Sequence, residues 1–214
     1  MRFSIAETPK AKRHALAGNP ALWEMKRAFQ IDFLKKQGLQ PDHDFLDLGC
    51  ATLRGGIPII NHLNVAKYTG CDIRIDSLKE AEKELAEEQL QHKNVHLVHL
   101  PSFKNYTGFK TYDCIWAFSV LIHMHDFKVE KCFRFVSNHL KPTGAFYANV
   151  NIGVAQEQVW QDFPVVSRSE KFYRLLAEKN GLVMQPLGAL KQLGHFTGAK
   201  KQDRQVMLKF SLKK

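Results

Sequence analysis

The first candidate functional residue in this sequence is an acidic residue beside a glycine turn. Asp47 lies in the short apolar run 45–48, Gly49 follows it closely, and a second apolar segment occupies residues 57–63. A strand, a tight turn and a helix start bring backbone N–H groups and the positive end of a helix dipole to one point, where anionic groups bind well. Open α/β sheets bind ligands at the carboxyl ends of their strands, where we expect Asp47 to lie.

Asp72 supplies a second carboxylate, 25 residues after Asp47. It ends the apolar segment 67–72, which is typical of another strand. A carboxylate about 20 residues beyond a glycine turn is the usual partner of a nucleotide's ribose hydroxyls, because one carboxylate can accept from both hydroxyls. The two acids therefore predict a nucleotide-like cofactor held across neighbouring strand ends.

The glycine spacing argues against a nicotinamide dehydrogenase, because Ala51 and Leu53 stand where G-x-G-x-x-G would need other residues. The stretch L-D-L-G-C-A-T-L-R-G-G, residues 46–56, instead resembles the first motif of class I S-adenosylmethionine-dependent methyltransferases, an acid followed by G-x-G-x-G. It is most similar to a bacterial subgroup with the letters LRGG after the turn. Residues 112–124 resemble the family's fourth-strand segment, and residues 140–144 resemble the turn before its fifth strand.

The elements that must hold these residues alternate between strands and helices, a pattern typical of a parallel sheet with right-handed crossovers. After a helix at 21–36, the pattern predicts strands at 45–48, 67–72, 95–100, 112–118 and 145–150, with helices at 57–63, 76–91 and 127–140, and then a helix at 169–180 followed by strands at 182–190 and 205–212. Since no helix is predicted between the last two strands, they should form an antiparallel hairpin at the sheet edge.

These patterns predict an α/β fold with a doubly wound, mostly parallel sheet in one domain, which suits a chain of 214 residues. The resemblance adds seven strands in the order 3-2-1-4-5-7-6 with the last one antiparallel, the Rossmann-like methyltransferase fold. We expect residues 1–19 to be a basic arm and residues 20–214 to form the S-adenosylmethionine-binding domain. The resemblance implies that residues 20–37 are a lid helix, although a helix packed on the sheet edge fits the pattern equally well.

Composition limits the partners and the compartment. The formal net charge is +10, and the basic residues are spread along the chain. We therefore expect an anionic partner, but the charge does not indicate whether it is a nucleic acid or a small molecule. The four cysteines, Cys50, Cys71, Cys114 and Cys132, contain no C-x-x-C spacing and predict reduced thiols in a cytoplasmic protein. We expect no membrane span, because no apolar run approaches the required length of about 20 residues.

The resemblance and the predicted strand ends together assign the contacts to S-adenosylmethionine. They are Asp47, Gly49, Cys50 and Ala51 at the methionine part, Asp72 at the ribose, Ile73 over one adenine face, Ser102 and Phe103 at the adenine, and Ala117 and Phe118 beside the sulfonium. Arg54 lies at a predicted helix start, where its charge opposes the helix dipole. We therefore expect it to bind the carboxylate of the cofactor, with Arg27 as a second candidate.

Three histidines and a tryptophan are candidates for the acceptor side. His123 follows the fourth strand and can titrate near neutral pH, so it is the candidate general base. His125, Trp160 and His195 are candidate substrate contacts, Trp160 because it lies in the insertion 151–168. No metal site is predicted.

The sequence therefore predicts an S-adenosylmethionine-dependent methyltransferase that methylates an oxygen of a small-molecule or glycan-like acceptor, which we expect to be anionic. One alternative is an RNA methyltransferase, favoured by the positive charge, although the N-P-P-Y or D-P-P-Y signature is absent after the fourth strand. A second alternative is a non-catalytic module that binds the cofactor with the same fold.

Overall fold

The computed structural model describes residues 8–108, 110–160 and 162–213, without the side chain of Trp160. The first five strands are β1 (Phe45–Leu48), β2 (Tyr68–Asp72), β3 (His96–His99), β4 (Tyr112–Ala117) and β5 (Leu140–Ile152). The helices are α1 (Pro9–Ala15), α2 (Trp23–Lys36), α3 (Gly56–His62), α4 (Ile75–Glu87), α5 (Asp126–His139), α6 (Glu170–Lys179) and α7 (Lys200–Asp203). The remaining strands are β6 (Gln156–Trp160), β7 (Phe163–Arg168), β8 (Leu182–Ala189) and β9 (Val206–Leu212).

The predicted sheet is confirmed. Strands β3, β2, β1, β4 and β5 are neighbours in that order and all parallel. The last strand, β9, is antiparallel both to β5 and to β8. The order 3-2-1-4-5-9-8 therefore corresponds to the predicted 3-2-1-4-5-7-6 once two additional strands are set aside.

The two additional strands, β6 and β7, form an antiparallel hairpin within the insertion 151–168. The hairpin joins the carboxyl end of β5, where Asn151 and Ile152 pair with Ser167 and Arg168. The sequence pattern did not predict it, since the insertion has no clear alternation of apolar and polar residues. Its position at a strand end makes it part of the cavity described below.

The burial of the strands explains why they appear in the sequence as apolar runs. All four residues of β1 are buried, because helices cover both faces of the sheet. Along β4, Ile115 packs with α5 and α6 on one face, and Trp116 packs with α2 and α3 on the other. The strands nearest the centre are thus nearly continuous apolar segments, as the sequence predicted.

Most predicted boundaries are shifted by a few residues, and the short helix α7 lies between β8 and β9, where no helix was predicted. Two differences are larger. Strand β5 begins at Leu140 instead of Ala145, because the intervening residues pair along β4 through a register shift between Tyr112 and Cys114. Helix α1 lies within the predicted arm 1–19, of which residues 1–7 fall outside the described residues. Arg13 of this helix is 3% exposed and bonds Glu84 and Glu87 of α4, a tertiary contact that the local sequence does not reveal.

Across the described ranges, no helix is both long and apolar enough to cross a bilayer.

Candidate functional site

A cavity of about 1130 Å³ opens at the carboxyl ends of β1, β2, β4 and β5. The β6–β7 hairpin, residues 16–19 and Lys26 and Gln30 of α2 also form parts of its wall. The predicted site residues that line it are Asp47, Gly49, Cys50, Ala51, Arg54, Asp72, Ile73, Ser102, Phe103, Phe118, His123, His125 and His195. Residues from widely separated parts of the chain are therefore gathered at one edge of the sheet.

Three predicted contacts do not reach the cavity or cannot be placed. Ala117 is fully buried in the core and does not line the cavity. Arg27 does not line it either, and its Nη1 atom lies 3.6 Å from Glu24 and 3.9 Å from Glu88. The side chain of Trp160 lies outside what the structure describes.

The turn after β1 has the backbone conformation of a glycine-rich loop, although two of its three left-handed residues, Ala51 and Leu53, are not glycine. The φ angle is +74° at Gly49, +47° at Ala51 and +63° at Leu53, all in the left-handed region. This conformation costs an L-residue roughly 1–2 kcal/mol. The side chain of Leu53 is fully buried in the core, so it leaves the cavity open.

The amide groups of this turn are bound within the protein. Gly49 and Cys50 both donate to the carbonyl oxygen of Cys71, at 2.7 and 3.0 Å. The amide of Ala51 donates to Asp72 Oδ2 at 2.9 Å. These bonds fix the turn to β2, and Gly49, Cys50 and Ala51 form part of the cavity wall.

Asp72 is held rigidly at the end of β2. Its side chain is 7% exposed, Oδ2 accepts from Ala51, and Oδ1 accepts from the amide of Arg74 at 2.8 Å. A carboxylate has about four lone-pair positions, so further donors can still bind it. Asp72 is thus a preorganised acceptor on the cavity wall.

Asp47 is a more deeply buried carboxyl group. It is 5% exposed, and its Oδ2 accepts a hydrogen bond from the hydroxyl of Tyr68 at 2.6 Å. Burial raises the pKa of Asp47 to about 7, against the effect of the Tyr68 hydrogen bond and with a smaller contribution from the charge of Asp72. A cationic ligand in the cavity would restore the ionised form of Asp47.

Three basic side chains meet at another part of the wall. Arg54 donates from Nη1 to the carbonyl of Ala17, while its buried Nε atom has no partner among the described residues. Lys26 donates to Gln202 at 3.0 Å, and burial with the nearby charge of Arg54 lowers its pKa to about 8. Burial also lowers the pKa of Arg54 to about 10.

His195 completes this basic cluster. It is 1% exposed, its ring packs edge-on against Phe29 and Phe118, and neither ring nitrogen has a partner within the described ranges. Burial lowers its pKa to about 4, with a further lowering from Lys26. Buried polar atoms are normally hydrogen-bonded, so orphaned nitrogens beside two cations favour a site for an anionic or polar ligand.

His123 is held by the hairpin. Its Nδ1 atom lies 2.9 Å from the carbonyl oxygen of Pro164 in β7. Because a carbonyl only accepts, Nδ1 carries the proton, and the lone pair of the neutral ring is on Nε2. Burial lowers the pKa of His123, so the neutral form predominates at physiological pH.

His125 is placed differently. Its Nδ1 atom lies 3.5 Å from Glu157 of β6, and its ring stacks on Phe127 with a centroid separation of 6.2 Å. It is half exposed and lies at the cavity wall near the hairpin.

A chain of amide side chains that the sequence did not predict as site residues reaches the cavity wall, where Asn151 and Gln205 line it. Asn149 accepts from the amide of Ser119 at 2.6 Å and donates to Gln205 at 2.7 Å. Gln205 in turn donates to Asn151 at 3.1 Å. These residues and Lys26 come from α2, β5 and the segment before β9, and no local motif marks them.

The sheet order, the antiparallel last strand and a cavity bounded by acids at the ends of β1 and β2 define the class I methyltransferase fold. Residues 46–146 match the family model described as a methyltransferase domain, so this part of the chain is a methyltransferase domain. The match covers just under half of the chain, and the remaining elements complete the class I methyltransferase fold around it.

Solved structures agree with this fold. An S-adenosylmethionine-dependent methyltransferase from Clostridium acetobutylicum is 14% identical, with coverage of 96% of this chain and 98% of that one and a TM-score of 0.69. The magnesium protoporphyrin IX methyltransferase from Synechocystis is 13% identical, with coverage of 97% and 93% and a TM-score of 0.68. A glycopeptide N-methyltransferase with sinefungin is 13% identical, with coverage of 87% and 93% and a TM-score of 0.68.

No match to the chain was found among curated protein sequences.

Proposed function

We propose that this chain transfers the methyl group of S-adenosylmethionine to an oxygen of a small, anionic acceptor, glycan-like molecules included. The observation that carries the proposal is the combination of Asp72, the basic cluster and His123 around one cavity. S-adenosylmethionine supplies a methyl group already activated by its positive sulfur, so the protein mainly has to align the reactants and exclude water.

The residues present suit this cofactor from end to end. Asp72 would accept from the ribose hydroxyls, and Ile73, which is 50% exposed, would cover one adenine face. The aromatic ring of Phe118 lines the cavity and would stabilise the positively charged sulfur of the cofactor through a cation–π contact. The methionine carboxylate would pair with Arg54 and Lys26, and His195 would gain a hydrogen-bond partner.

His123 suits the role of general base. Its neutral ring has the proton on Nδ1, bound to Pro164, so Nε2 can receive the proton of an acceptor hydroxyl. In the transfer the oxygen–methyl bond forms, the sulfur–methyl bond breaks, and the hydroxyl proton passes to His123 Nε2. The product is S-adenosylhomocysteine with a methylated acceptor.

The charge of the cavity wall supports an anionic acceptor. Beyond the basic cluster, the cationic residues lining it are Arg74, Lys128, Lys131, Lys201 and Arg204. Apart from Asp47 and Asp72, the only acidic residue among the described lining residues is Asp162. Such a wall attracts anions and raises their local concentration. The β6–β7 hairpin encloses part of the space, which favours a small acceptor over a macromolecule.

The first experiment is calorimetry with S-adenosylhomocysteine. We expect measurable binding and a raised melting temperature, since a ligand that binds only the folded state stabilises it. No heat together with an unchanged melting temperature would refute the proposal.

The second experiment measures S-adenosylhomocysteine release from S-adenosylmethionine with a panel of hydroxylated acceptors. Each carboxylated or phosphorylated compound is paired with its neutral analogue. We expect turnover only with anionic members and its loss in His123→Gln, which should keep its affinity for S-adenosylhomocysteine. Equal turnover of the neutral analogues would remove the anionic acceptor from the proposal.

The same cations favour RNA as the second candidate acceptor. An RNA methyltransferase would bind RNA with an affinity that falls steeply with salt, because each phosphate contact releases counterions. Salt-dependent RNA binding accompanied by methylation of RNA, and inactivity on every small acceptor, would replace the small-molecule proposal by this one.

A further inference from the structure

Arg168, at the end of β7, is an arginine that is buried almost completely. Its side chain is 4% exposed, and its Nε atom donates to Asp126 Oδ1 at 2.7 Å. The guanidinium also lies over the ring of Phe172, 5.2 Å from its centroid. A buried arginine is costly unless its fork of donors is satisfied, so the remaining contacts of Arg168 are informative.

One of those contacts goes to the hydroxyl of Tyr173 in α6, at 3.4 Å, and two others lie on both sides of His123. Nη1 donates to the carbonyl of Leu121 at 3.4 Å, and Nη2 donates to the carbonyl of Met124 at 2.5 Å. With Asp126 at the start of α5, Arg168 therefore fastens the whole segment 121–126 to β7. The segment has only one short turn of helix of its own, at residues 121–123, and Arg168 adds three side-chain bonds to it.

The same strand also binds the ring of His123. Pro164 of β7 accepts from Nδ1, and Arg168, four residues later, holds the backbone on either side. A hydrogen bond to Nδ1 keeps one tautomer only while donor and acceptor stay aligned, and the alignment depends on the distance between the segment 121–126 and β7.

We propose that Arg168 is a positioning residue for the transfer reaction: by tying residues 121–126 to β7 it keeps His123 in the Nδ1–H tautomer with Nε2 as the basic atom. The role of His123 as base rests on the proposed function above. Arg168 does not line the cavity and acts only through His123. A lysine at this position would keep one positive charge but could not reach all the acceptors, because it lacks the planar fork.

The test reads the tautomer and the pKa of His123 directly and needs no acceptor. Protein isotopically labelled in its histidines is studied by proton–nitrogen correlation NMR as a function of pH, and the His123→Gln spectrum assigns the signal. In the wild type we expect the Nδ1–H tautomer and a lowered pKa. In Arg168→Lys we expect a mixture of tautomers and a pKa closer to that of free histidine, since loss of the anchor admits water.

Arg174→Lys is the matched control. Arg174 is half exposed and pairs with Glu170 in α6, so the change should leave the His123 signal as in the wild type. Asp126→Asn is a second variant, which removes the negative charge that pairs with Arg168. Because the side chain of Asp126 is 66% exposed, this variant should fold, and it replaces Arg168→Lys in the test if that variant does not fold. We expect it to shift the tautomer in the same direction.

An unchanged tautomer and pKa in the folded Arg168→Lys variant, or in Asp126→Asn where that variant decides, would overturn the proposal and leave Arg168 as a stabilising residue only. Failure of the proposed function is a separate result, since it would be detected by calorimetry with S-adenosylhomocysteine. With an identified acceptor, Arg168→Lys should reduce kcat about tenfold, a part of the roughly 10²–10⁴-fold contribution of a general base, and leave the KM for S-adenosylmethionine unchanged.

Discussion

Replacement of Asp72 by asparagine tests whether this carboxylate holds the ribose of the cofactor. The change keeps the size of the side chain but removes its charge and one of its two acceptor oxygens. In the folded protein the two oxygens already accept from the amides of Ala51 and Arg74. The variant therefore weakens both the ligand site and the turn that shapes it.

Two magnitudes follow from these contacts. A hydrogen bond to a charged group contributes about 1.5–3 kcal/mol, so loss of one such bond to the ribose should weaken binding about 10- to 100-fold. Within the protein, either Ala51 or Arg74 loses its acceptor, which costs about 1–3 kcal/mol of unfolding free energy. For a chain of this size that lowers the melting temperature by roughly 2–4 °C per kcal/mol.

The assay is calorimetric titration with S-adenosylhomocysteine, together with thermal unfolding of the unliganded protein. Asp76→Asn is the control, because Asp76 lies on the first turn of α4 with a side chain that is 88% exposed. Its affinity and melting temperature should match the wild type. An Asp72→Asn variant that melts earlier but binds S-adenosylhomocysteine within twofold of the wild type would refute the assignment and leave Asp72 a purely structural role.

Three further predictions concern strain, charge and proton uptake. Ala51→Gly should raise the free energy of unfolding by about 1 kcal/mol, because glycine relieves the strain of the left-handed conformation. Ala86→Gly, on the exposed face of α4, should lower it by about 0.5–1 kcal/mol. Chemical denaturation measures both changes, and changes of the same sign in the two variants would contradict the argument. The pKa of Asp44 is lowered because its hydrogen bonds from lysines, including Lys141, outweigh burial. The resulting stability is present above the pKa of the unfolded carboxyl and lost as pH falls below it, so the deficit of Asp44→Asn, about 1 kcal/mol at neutral pH, should shrink in unfolding curves taken from pH ~5 to ~2. Lys26, with a pKa of about 8, should take up a proton when a carboxylate binds beside it; calorimetry of S-adenosylhomocysteine near pH ~8.5, in buffers of different ionisation enthalpy, should detect uptake that Lys26→Met abolishes.

Sequence reasoning succeeded where the signal is local. The apolar run around Asp47 and the one ending at Asp72 are buried strands, and both acids lie at the cavity because parallel strands end at the same edge of the sheet. The departures from glycine at Ala51 and Leu53 were visible as well. Their consequence was not, because only the backbone angles reveal that both residues keep the left-handed conformation.

Reasoning from sequence did not predict the groups that are assembled across the fold. Lys26, Gln205 and Arg168 carry no motif, and each acquires its significance from a partner far away in the chain: Gln202, Asn149 and Met124 respectively. Ala117 shows the converse, since it lies at the end of β4, one residue before the predicted end of the strand, but its side chain is buried in the core.

The sequence by itself determined the fold class and the two carboxylates at the strand ends, because burial on both sides of a parallel sheet leaves continuous apolar runs that end in turns. The order of the strands came from the resemblance of its motifs to a known family. Only the tertiary structure decided which basic residues meet at the cavity, which nitrogen of His123 carries the proton and how the hairpin holds it. These features depend on distances between segments far apart in the chain, and such distances are set by packing, which local sequence patterns do not encode.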